Sequence, residues 1–418
     1  MKQNNAIKCT QNMYVLHSVL EYFISMLVSG SYLATLTSYV GISDGLTGIL
    51  SASISLGCLF QLFSVFLKRG SVKKTVIILT MSNQLLFLML YIIPLSGMEN
   101  QPAVILFVVS ILAAYLLSNM ASPLKTNWFI SMVEEHKRGV YSAKVEIFSL
   151  ITGIFFTFIM GSTIDYFKAQ EQMETAFIVC GITLFGLMVI NGLALLLSAE
   201  PEKKAGNHAS PLKEMLSTFR NKNVLKLTGL YSLWYIANFI STPFYGTYQI
   251  KELGFSLQFV SVLTMIYSIV RSGISPVWGK YADKHSFGKM IRLCFCVAGT
   301  AFFINMFTVP ANGRIFFTLY FAIFAGAIGG INNAITNLVF EMVPEEIRSN
   351  ALALTKAISG MVGFSVTLVG GWLVEYIQGN GNMFLGQNVY AQQIMSGIAF
   401  VFVVICIVYV TLVIKPKK

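Results

Sequence analysis

Two ionisable residues stand one helical turn apart in an apolar stretch near the start of the chain. His17 and Glu21 have the i to i+4 spacing that places two side chains on one face of a helix. If the segment is a helix, Glu21 lies about 20 Å along its axis from Lys8. Apolar surroundings disfavour the charged form of a carboxyl group and so raise its pKa towards neutrality. A group that couples transport to protons requires such a pKa. We therefore predict that Glu21 takes up and releases a coupling proton, and that His17 is its relay or hydrogen-bond partner. The alternative is that Glu21 is a structural carboxyl group paired with Lys125 or with a backbone group.

Three further charges fall in segments that otherwise avoid charge: Lys125, Glu146 and Arg271. Each costs about 2.5 to 3.5 kcal/mol at the centre of a bilayer, so each indicates a function. Arg271 precedes Gly279 by about 12 Å of helix. Since an arginine stays protonated, Arg271 requires an anion, either a carboxylate of the chain or an anionic solute.

Polar and aromatic residues concentrate in two apolar segments, 230–250 and 326–337. Tyr231, Trp234 and Asn238 share one helical face through spacings of three and four residues. The second segment has three asparagines: Asn332, Asn333 and Asn337. Such residues suit a cavity whose side chains stack on an organic solute and form hydrogen bonds with it. We assign Lys125 to the same cavity. Hydrogen bonding between helices is the alternative role for each asparagine.

The elements that must position these residues are membrane-spanning helices. The chain is 55% hydrophobic and 11% charged, against roughly 25% charged in soluble domains. Stretches free of Asp, Glu, Lys and Arg predict twelve spans, each near the ~20 residues that cross a bilayer: 22–43, 45–67, 75–98, 100–124, 147–164, 175–199, 227–250, 253–270, 293–313, 315–340, 357–374 and 376–414. Their apolar character is continuous rather than alternating, which favours helices over barrel strands. We expect an all-α integral membrane protein.

The net charge of +11 reports orientation in the membrane. Of the 29 Lys and Arg, only Lys168, Lys251 and Arg314 fall on the side opposite the N-terminus, apart from two inside spans. This is the positive-inside pattern, so we expect both termini in the cytoplasm and no nucleic-acid partner. Short loops with basic cytoplasmic turns favour a bacterial plasma membrane. No cleavable signal peptide is expected, and the six cysteines lack metal-ligand spacing.

The predicted spans divide into two halves of six. The polar segment 200–226 separates them, which predicts bundles at 1–199 and 227–418 joined by a cytoplasmic linker. A shift of 210 residues lays 132–153 on 342–363 and aligns, among others, Arg138 with Arg348 and Gly153 with Gly363. We therefore expect two pseudo-symmetric bundles, a recurring plan of transporters with a site near the midplane.

The segment "GKYADKHSFGK" at 279–289 resembles the loop signature Gly-x-Leu-Ala-Asp-x-x-Gly-Arg-Lys of the major facilitator superfamily. Gly279, Asp283, Gly288 and Lys289 stand on the matching positions, with one extra residue before the second glycine. The resemblance implies a cytoplasmic loop whose aspartate, placed at a helix start, latches the two halves together. A solvated connector is the alternative. The first half departs from the pattern, because 63–74 has Leu67 or Lys68 where the aspartate is usual.

The same resemblance implies secondary transport by alternating access, with helices 1, 7 and 10 beside a central cavity. It also implies that helices 5 and 8 face each other, so we predict that Glu146 and Arg271 form a pair that closes the cytoplasmic side in one state. The alternative makes Arg271 the anchor of an anionic solute. Lys356 is expected to extend towards cytoplasmic water.

Among function classes, a membrane enzyme is disfavoured because no His-Glu-x-x-His or phosphate-loop motif occurs. A transport-dead sensor of the same fold is the other competitor. We expect proton-coupled export of amphipathic compounds; proton-coupled uptake of a sugar, an oligosaccharide or an organic anion is the alternative. No cofactor or metal is expected; the partners are a small solute, the proton and the lipid bilayer. The sequence leaves the oligomeric state open.

Overall fold

The computed structural model describes residues 2–57, 71–134, 138–200 and 218–414, and these residues are almost entirely helical. In chain order the long helices are α1 Lys2–Leu27, α2 Gly30–Val40, α3 Asp44–Leu56, α4 Val72–Ile92, α5 Asn100–Ser131, α6 Arg138–Ala169, α7 Met173–Leu197, α8 Lys222–Phe239, α9 Leu257–His285, α10 Phe287–Asn305, α11 Gly313–Met342, α12 Arg348–Gly379 and α13 Ala391–Tyr409. Helices satisfy their own backbone groups, as a chain crossing hydrocarbon must.

Within the described ranges, nine helices are long and apolar enough to cross a membrane, or ten if the bent pair α1 and α2 forms one span. The two helices of that pair meet at 42°, where the sequence predicted one span over 22–43. The described part of the predicted span 45–67 is α3, whereas 58–70, including Leu67 and Lys68, lie outside the described residues. The total of twelve therefore stays a prediction.

The predicted span 376–414 is wrong at its start. Helix α12 continues to Gly379, and a hairpin of β1 Met383–Phe384 and β2 Gln387–Asn388 precedes α13. Leu385 and Gly386 form the hairpin turn with φ of 51° and 78°, the left-handed backbone that two-residue hairpins require. Lack of charge marked this stretch as a span, but glycine and asparagine interrupt the helix there.

The first compact unit comprises residues 1–205 and 255–261. In it α1 packs against α6 and α7, and α4 packs against α5 and α7. Its core includes Trp128 and Phe129 from α5 with Leu195 from α7. Asp165, near the end of α6, accepts hydrogen bonds from the backbone amides of Leu257 at 3.0 Å and Gln258 at 2.7 Å. The start of α9 is thereby capped within this unit.

The second compact unit comprises residues 206–254 and 262–418. Here α10 packs against α11 and α13, and α8 packs against α12. Close packing of α10 and α11 depends on Gly330, because a Cβ there would lie 2.2 Å from the Cys294 sulfur. After α8 the helix is interrupted by a tight turn at Thr242–Phe244 and a wide turn at Tyr248–Glu252. Pro243 lacks an amide hydrogen, which accounts for the break after α8.

Two glycines aligned by the 210-residue repeat have similar surroundings in the two units. A Cβ at Gly153 would lie 2.3 Å from the Tyr22 ring of α1, and one at Gly363 would lie 3.0 Å from the Tyr235 ring of α8. In each unit an aromatic ring of the first helix therefore rests on a glycine. The predicted boundaries 1–199, 200–226 and 227–418 stay predictions, since 201–217 lie outside the described residues.

The charged segment 279–289 is helical rather than a loop. Helix α9 runs through His285, and α10 begins at Phe287 after Ser286, whose hydroxyl accepts a hydrogen bond from the Lys289 amide. Asp283 is exposed in the last turn of α9, so its expected position at a helix start is wrong. The family resemblance implied a loop here, but solvated charges are compatible with a helix end.

Candidate functional site

A chain of polar contacts links α1, α5 and α7 inside the first unit. The Lys125 ammonium donates a hydrogen bond to Oε1 of Glu21, and the other carboxylate oxygen lies 3.5 Å from His17 Nε2. On the far side of the ring, His17 Nδ1 lies 2.7 Å from Oδ1 of Asn191. The structure therefore brings Glu21, His17 and Lys125 together and adds an amide that the sequence analysis did not identify.

Burial differs along this polar chain. His17 is 1% exposed and Asn191 0%, whereas the Glu21 side chain keeps 31% of its surface accessible. The ring of Phe129 stacks near His17 with 5.8 Å between ring centroids. Apolar packing thus isolates the imidazole, and Glu21 is the most accessible member of the cluster.

The tautomer of His17 follows from its neighbours. With Asn191 Oδ1 as the acceptor, Nδ1 carries the ring hydrogen, so Nε2 of a neutral ring is itself an acceptor. Nε2 and the Glu21 carboxylate oxygen are then both acceptors. They attract each other only if a proton lies between them, either on the imidazole or on Glu21. The contact is therefore attractive only when one of the two groups is protonated, and the Lys125 ammonium lies against the other carboxylate oxygen.

A cavity of about 250 Å³ lies inside the second unit. Its walls come from α8, α11 and α12: Tyr231, Tyr235, Asn332, Ile335, Thr336, Thr355, Lys356 and Ser359. The hydroxyl of Tyr231 donates to the Ile335 carbonyl, so this phenol braces α8 against α11. Lys356 lines this cavity and is exposed, so its predicted extension towards cytoplasmic water stays a prediction.

A second cavity of about 350 Å³ adjoins the first through shared residues. It is lined by Trp234, Tyr235, Asn238, Phe239, Thr242, Tyr267, Arg271, Phe324, Ile328, Asn332 and Ile335. Tyr235, Asn332 and Ile335 belong to both walls. The two cavities together present aromatic rings for stacking, amides for hydrogen bonding and two cationic groups.

Several of the predicted site residues have other surroundings. Asn333 donates to the Gly329 carbonyl at 3.1 Å and Asn337 to the Asn333 carbonyl at 2.9 Å, so both amides bond their own helix. Lys125, assigned to the substrate cavity, lies with Glu21 in the first unit. The substrate roles of these three residues stay predictions.

The predicted gate and latch residues also stay predictions. Glu146 is exposed on α6 in the first unit, whereas Arg271 belongs to the second. Gly279 is half-buried and Gly288 is buried. A Cβ at Gly279 would meet no atom within 4 Å, so close packing does not explain that glycine.

Sequence reasoning missed Asn191, Tyr235 and Tyr267. Asn191 is the one amide in the uncharged stretch 175–199, and an isolated amide in an apolar helix signals an interhelical contact. Tyr235 lies four residues after Tyr231 and three before Asn238, on the same helical face. Tyr267 precedes Arg271 by one turn and lines the same cavity, so the spacing of that pair was readable.

Comparison with known families decides the class of the protein. The model of the Major Facilitator Superfamily matches residues 15–368 and 229–417. The chain belongs to the major facilitator superfamily. The resemblance indicated by the segment 279–289 is thereby confirmed, and the protein is a membrane transporter rather than an enzyme. No curated protein sequence matches this member of the superfamily.

Solved structures of other transporters share the fold. The nucleoside transporter NupG has a TM-score of 0.71 at 16% identity, with 99% of this chain and 100% of that chain covered. A D-xylose-proton symporter has a TM-score of 0.66 at 16% identity, covering 96% and 97%. The POT family transporter PepTSo has a TM-score of 0.68 at 11% identity, covering 97% of both chains. The all-α transporter fold predicted from sequence is confirmed.

Proposed function

We propose that this superfamily member is a proton-coupled secondary transporter of a ring-bearing organic solute that also forms hydrogen bonds. The proton site is the contact of Glu21 with His17, and Lys125 supplies the balancing charge. The observation that carries the proposal is the position of His17 between Asn191 Oδ1 at 2.7 Å and a Glu21 oxygen at 3.5 Å. One proton fits in that contact, and its gain or loss changes the charge of the cluster by one unit.

The solute site is the pair of joined cavities in the second unit. Tyr235 and Trp234 offer rings for stacking, while Asn238 and Asn332 offer amides, so the solute combines a planar or apolar body with polar groups. The names of the nucleoside transporter and the D-xylose-proton symporter describe solutes of this kind and, in one case, proton coupling. Amphipathic compounds fit the same description. Export, location in a bacterial plasma membrane and cytoplasmic termini remain parts of the proposal that rest on the sequence.

The test is a flux assay in proteoliposomes that contain a pH-sensitive dye. Nucleosides, sugars, amphipathic drugs and organic acids are added singly under an imposed pH gradient. We expect at least one class to drive a coupled proton flux, in the direction of the solute for symport and opposite to it for antiport. The same gradient applied in both directions distinguishes export from uptake.

Glu21→Gln is the deciding variant, because a glutamine keeps the shape of the side chain and cannot exchange a proton. It should abolish gradient-driven accumulation. Glu99→Gln changes an exposed carboxyl group before α5 and should behave as the unaltered protein. Full pH-driven transport by Glu21→Gln would remove the proton role.

A further inference from the structure

The hairpin between α12 and α13 has an apolar side chain at its tip. Leu385 is 89% exposed, more than any other large apolar side chain in the described ranges. The register of the two strands leaves only Leu385 and Gly386 in the turn, with φ of 51° and 78°. Leucine therefore occupies a turn position at which asparagine, aspartate or glycine is preferred.

The surroundings of Leu385 would be unfavourable in water for two independent reasons. Left-handed backbone brings the Cβ atom close to the following carbonyl oxygen, a strain that glycine avoids and that asparagine offsets by local hydrogen bonds. An isobutyl group in water also gains nothing from the hydrophobic effect, since none of its surface is removed from water. Both costs have an explanation if the side chain contacts apolar material outside the chain.

The base of the hairpin is fixed to the second unit. The Glu252 carboxylate accepts hydrogen bonds from Nε2 of Gln378 at 3.0 Å and from Nδ2 of Asn382 at 3.3 Å. The Asn382 carbonyl accepts a further one from the Val389 amide at 2.9 Å, which closes the hairpin. Strand β1 also packs against α12. These contacts hold the tip beside the end of α12.

An exposed stripe on α12 leads towards the hairpin. Leu368, Trp372 and Tyr376 follow one another at intervals of four residues, so they share one helical face. Their side chains are 46%, 64% and 48% exposed, and the rings of Trp372 and Tyr376 stack with 5.6 Å between centroids. Helix α12 is long and apolar enough to cross a membrane, so lipid covers this exposed apolar face.

The two stacked rings lie at the level of a membrane surface. Because Arg348, the first residue of α12, is charged, it marks one edge of the membrane. Trp372 and Tyr376 follow it by about 36 and 42 Å of helix. A bilayer measures about 30 Å across its hydrocarbon and about 40–45 Å with its headgroups. Both rings therefore lie in the opposite headgroup layer, where Trp and Tyr concentrate, and the hairpin follows at the same surface.

We propose that the tip of the 383–388 hairpin inserts into this headgroup layer, with Leu385 directed towards the acyl chains. The lipid needs no particular headgroup charge, since the stretch 376–414 contains no Asp, Glu, Lys or Arg. A protein partner fits less well, because a stable interface takes about 20–30 residues a side, whereas the exposed apolar residues of the hairpin are Met383 and Leu385. Insertion anchors the end of α12 at the membrane surface, whatever solute is transported.

The first test measures how far water reaches the tip. Leu385→Cys is made in the full chain, with Glu171→Cys as the matched control, because Glu171 is an exposed turn residue with a φ of 60°. Each variant is placed in nanodiscs that hold one copy and is treated with a membrane-impermeant maleimide. Mass spectrometry follows labelling of the peptide with the new thiol, and each rate is divided by that of the unfolded variant.

We expect Leu385→Cys to react several-fold more slowly than Glu171→Cys, because a thiol among lipid headgroups forms its reactive thiolate less readily than one in water. Equal rates overturn the inference, since a tip in water is labelled as fast as the control. Protection that appears only in nanodiscs with two copies also overturns it, because a second copy then covers the tip.

The second test identifies what covers the tip. Nanodiscs of the unaltered protein include phosphatidylcholine with a diazirine near the headgroup end of one acyl chain, and mass spectrometry locates the lipid adducts after illumination. We expect several-fold more adducts on 383–388 than on the exposed turn 170–172. Leu385→Asn suits the left-handed backbone but not lipid, and it should lower the adducts to the level of that turn.

Gln387→Asn, a change at an exposed polar residue of the same hairpin, should leave the adducts unchanged. A yield on 383–388 no higher than on 170–172, or one that Leu385→Asn does not lower, overturns the inference. Both tests are made without a substrate or a proton gradient, so their outcome is independent of the proposed function.

Discussion

Lys125 donates a hydrogen bond to Glu21 from a position 104 residues further along the chain. The two side chains come from α5 and α1, and Lys125 is only 7% exposed. A buried ammonium next to a carboxylate holds that carboxylate in its charged form, whereas proton uptake releases the ammonium. The pair therefore joins α1 to α5 by a contact whose strength depends on the charge of Glu21.

Removal of one partner should cost more than removal of both. We expect Lys125→Met alone to lower the free energy of unfolding by about 1–3 kcal/mol, because Glu21 loses its counter-charge but stays partly accessible. The double variant Lys125→Met with Glu21→Gln should recover part of that loss. Thermal unfolding in detergent measures both, and Lys144→Gln, an exposed cation on α6, is the control. If the two substitutions lower the free energy of unfolding additively, the ion pair contributes no coupling energy to stability.

Asn191→Asp should shift the pH dependence of transport towards alkaline pH. A carboxylate facing His17 Nδ1 favours the protonated imidazole, so the cluster should keep its proton to a pH higher by about one unit or more. The pH of half-maximal gradient-driven transport measures this shift. Asn191→Ala removes the hydrogen bond and adds no charge, so it should not produce an alkaline shift. A profile unchanged in Asn191→Asp would place the exchangeable proton elsewhere.

The cap that Asp165 provides for α9 should be measurable as stability. Asp165→Ala leaves the amides of Leu257 and Gln258 without their acceptor and should cost about 1–2 kcal/mol. Asp165→Asn keeps one oxygen at the helix start and should cost less than half of that. Thermal unfolding of both variants tests the order. Equal melting temperatures for all three proteins would mean that solvent satisfies those amides equally well.

Two neighbouring glycines of α11 should respond in opposite ways to alanine. Gly330→Ala puts a methyl group 2.2 Å from the Cys294 sulfur, which should cost about 1–3 kcal/mol through overpacking. Gly326→Ala meets its nearest atom, Ile274 Cδ1, at 3.5 Å, and should be neutral or stabilise by up to about 1 kcal/mol through helix propensity. Combining Gly330→Ala with Cys294→Ala should restore part of the loss. Thermal unfolding distinguishes these outcomes; a loss that persists in the double variant would point to a clash with Trp278 instead.

Much of the fold was predictable because it depends on local composition. Continuous apolar stretches predicted the membrane helices, and the four-residue spacing of His17 and Glu21 predicted their contact on α1. The ends of helices were less predictable. Charge avoidance alone assigned 376–414 to one span, although a hairpin with its turn at Leu385 and Gly386 lies there.

The sequence by itself determined the membrane class, the family and the residues that bear charge in apolar helices, because each follows from the type and spacing of neighbouring residues. Only the tertiary structure decided what those charges meet. Lys125 and Asn191 reach the Glu21–His17 pair across 104 and 174 residues, and Lys356 lines a cavity with residues of α8 and α11. Such partners depend on how helices distant in sequence pack, which no local pattern encodes.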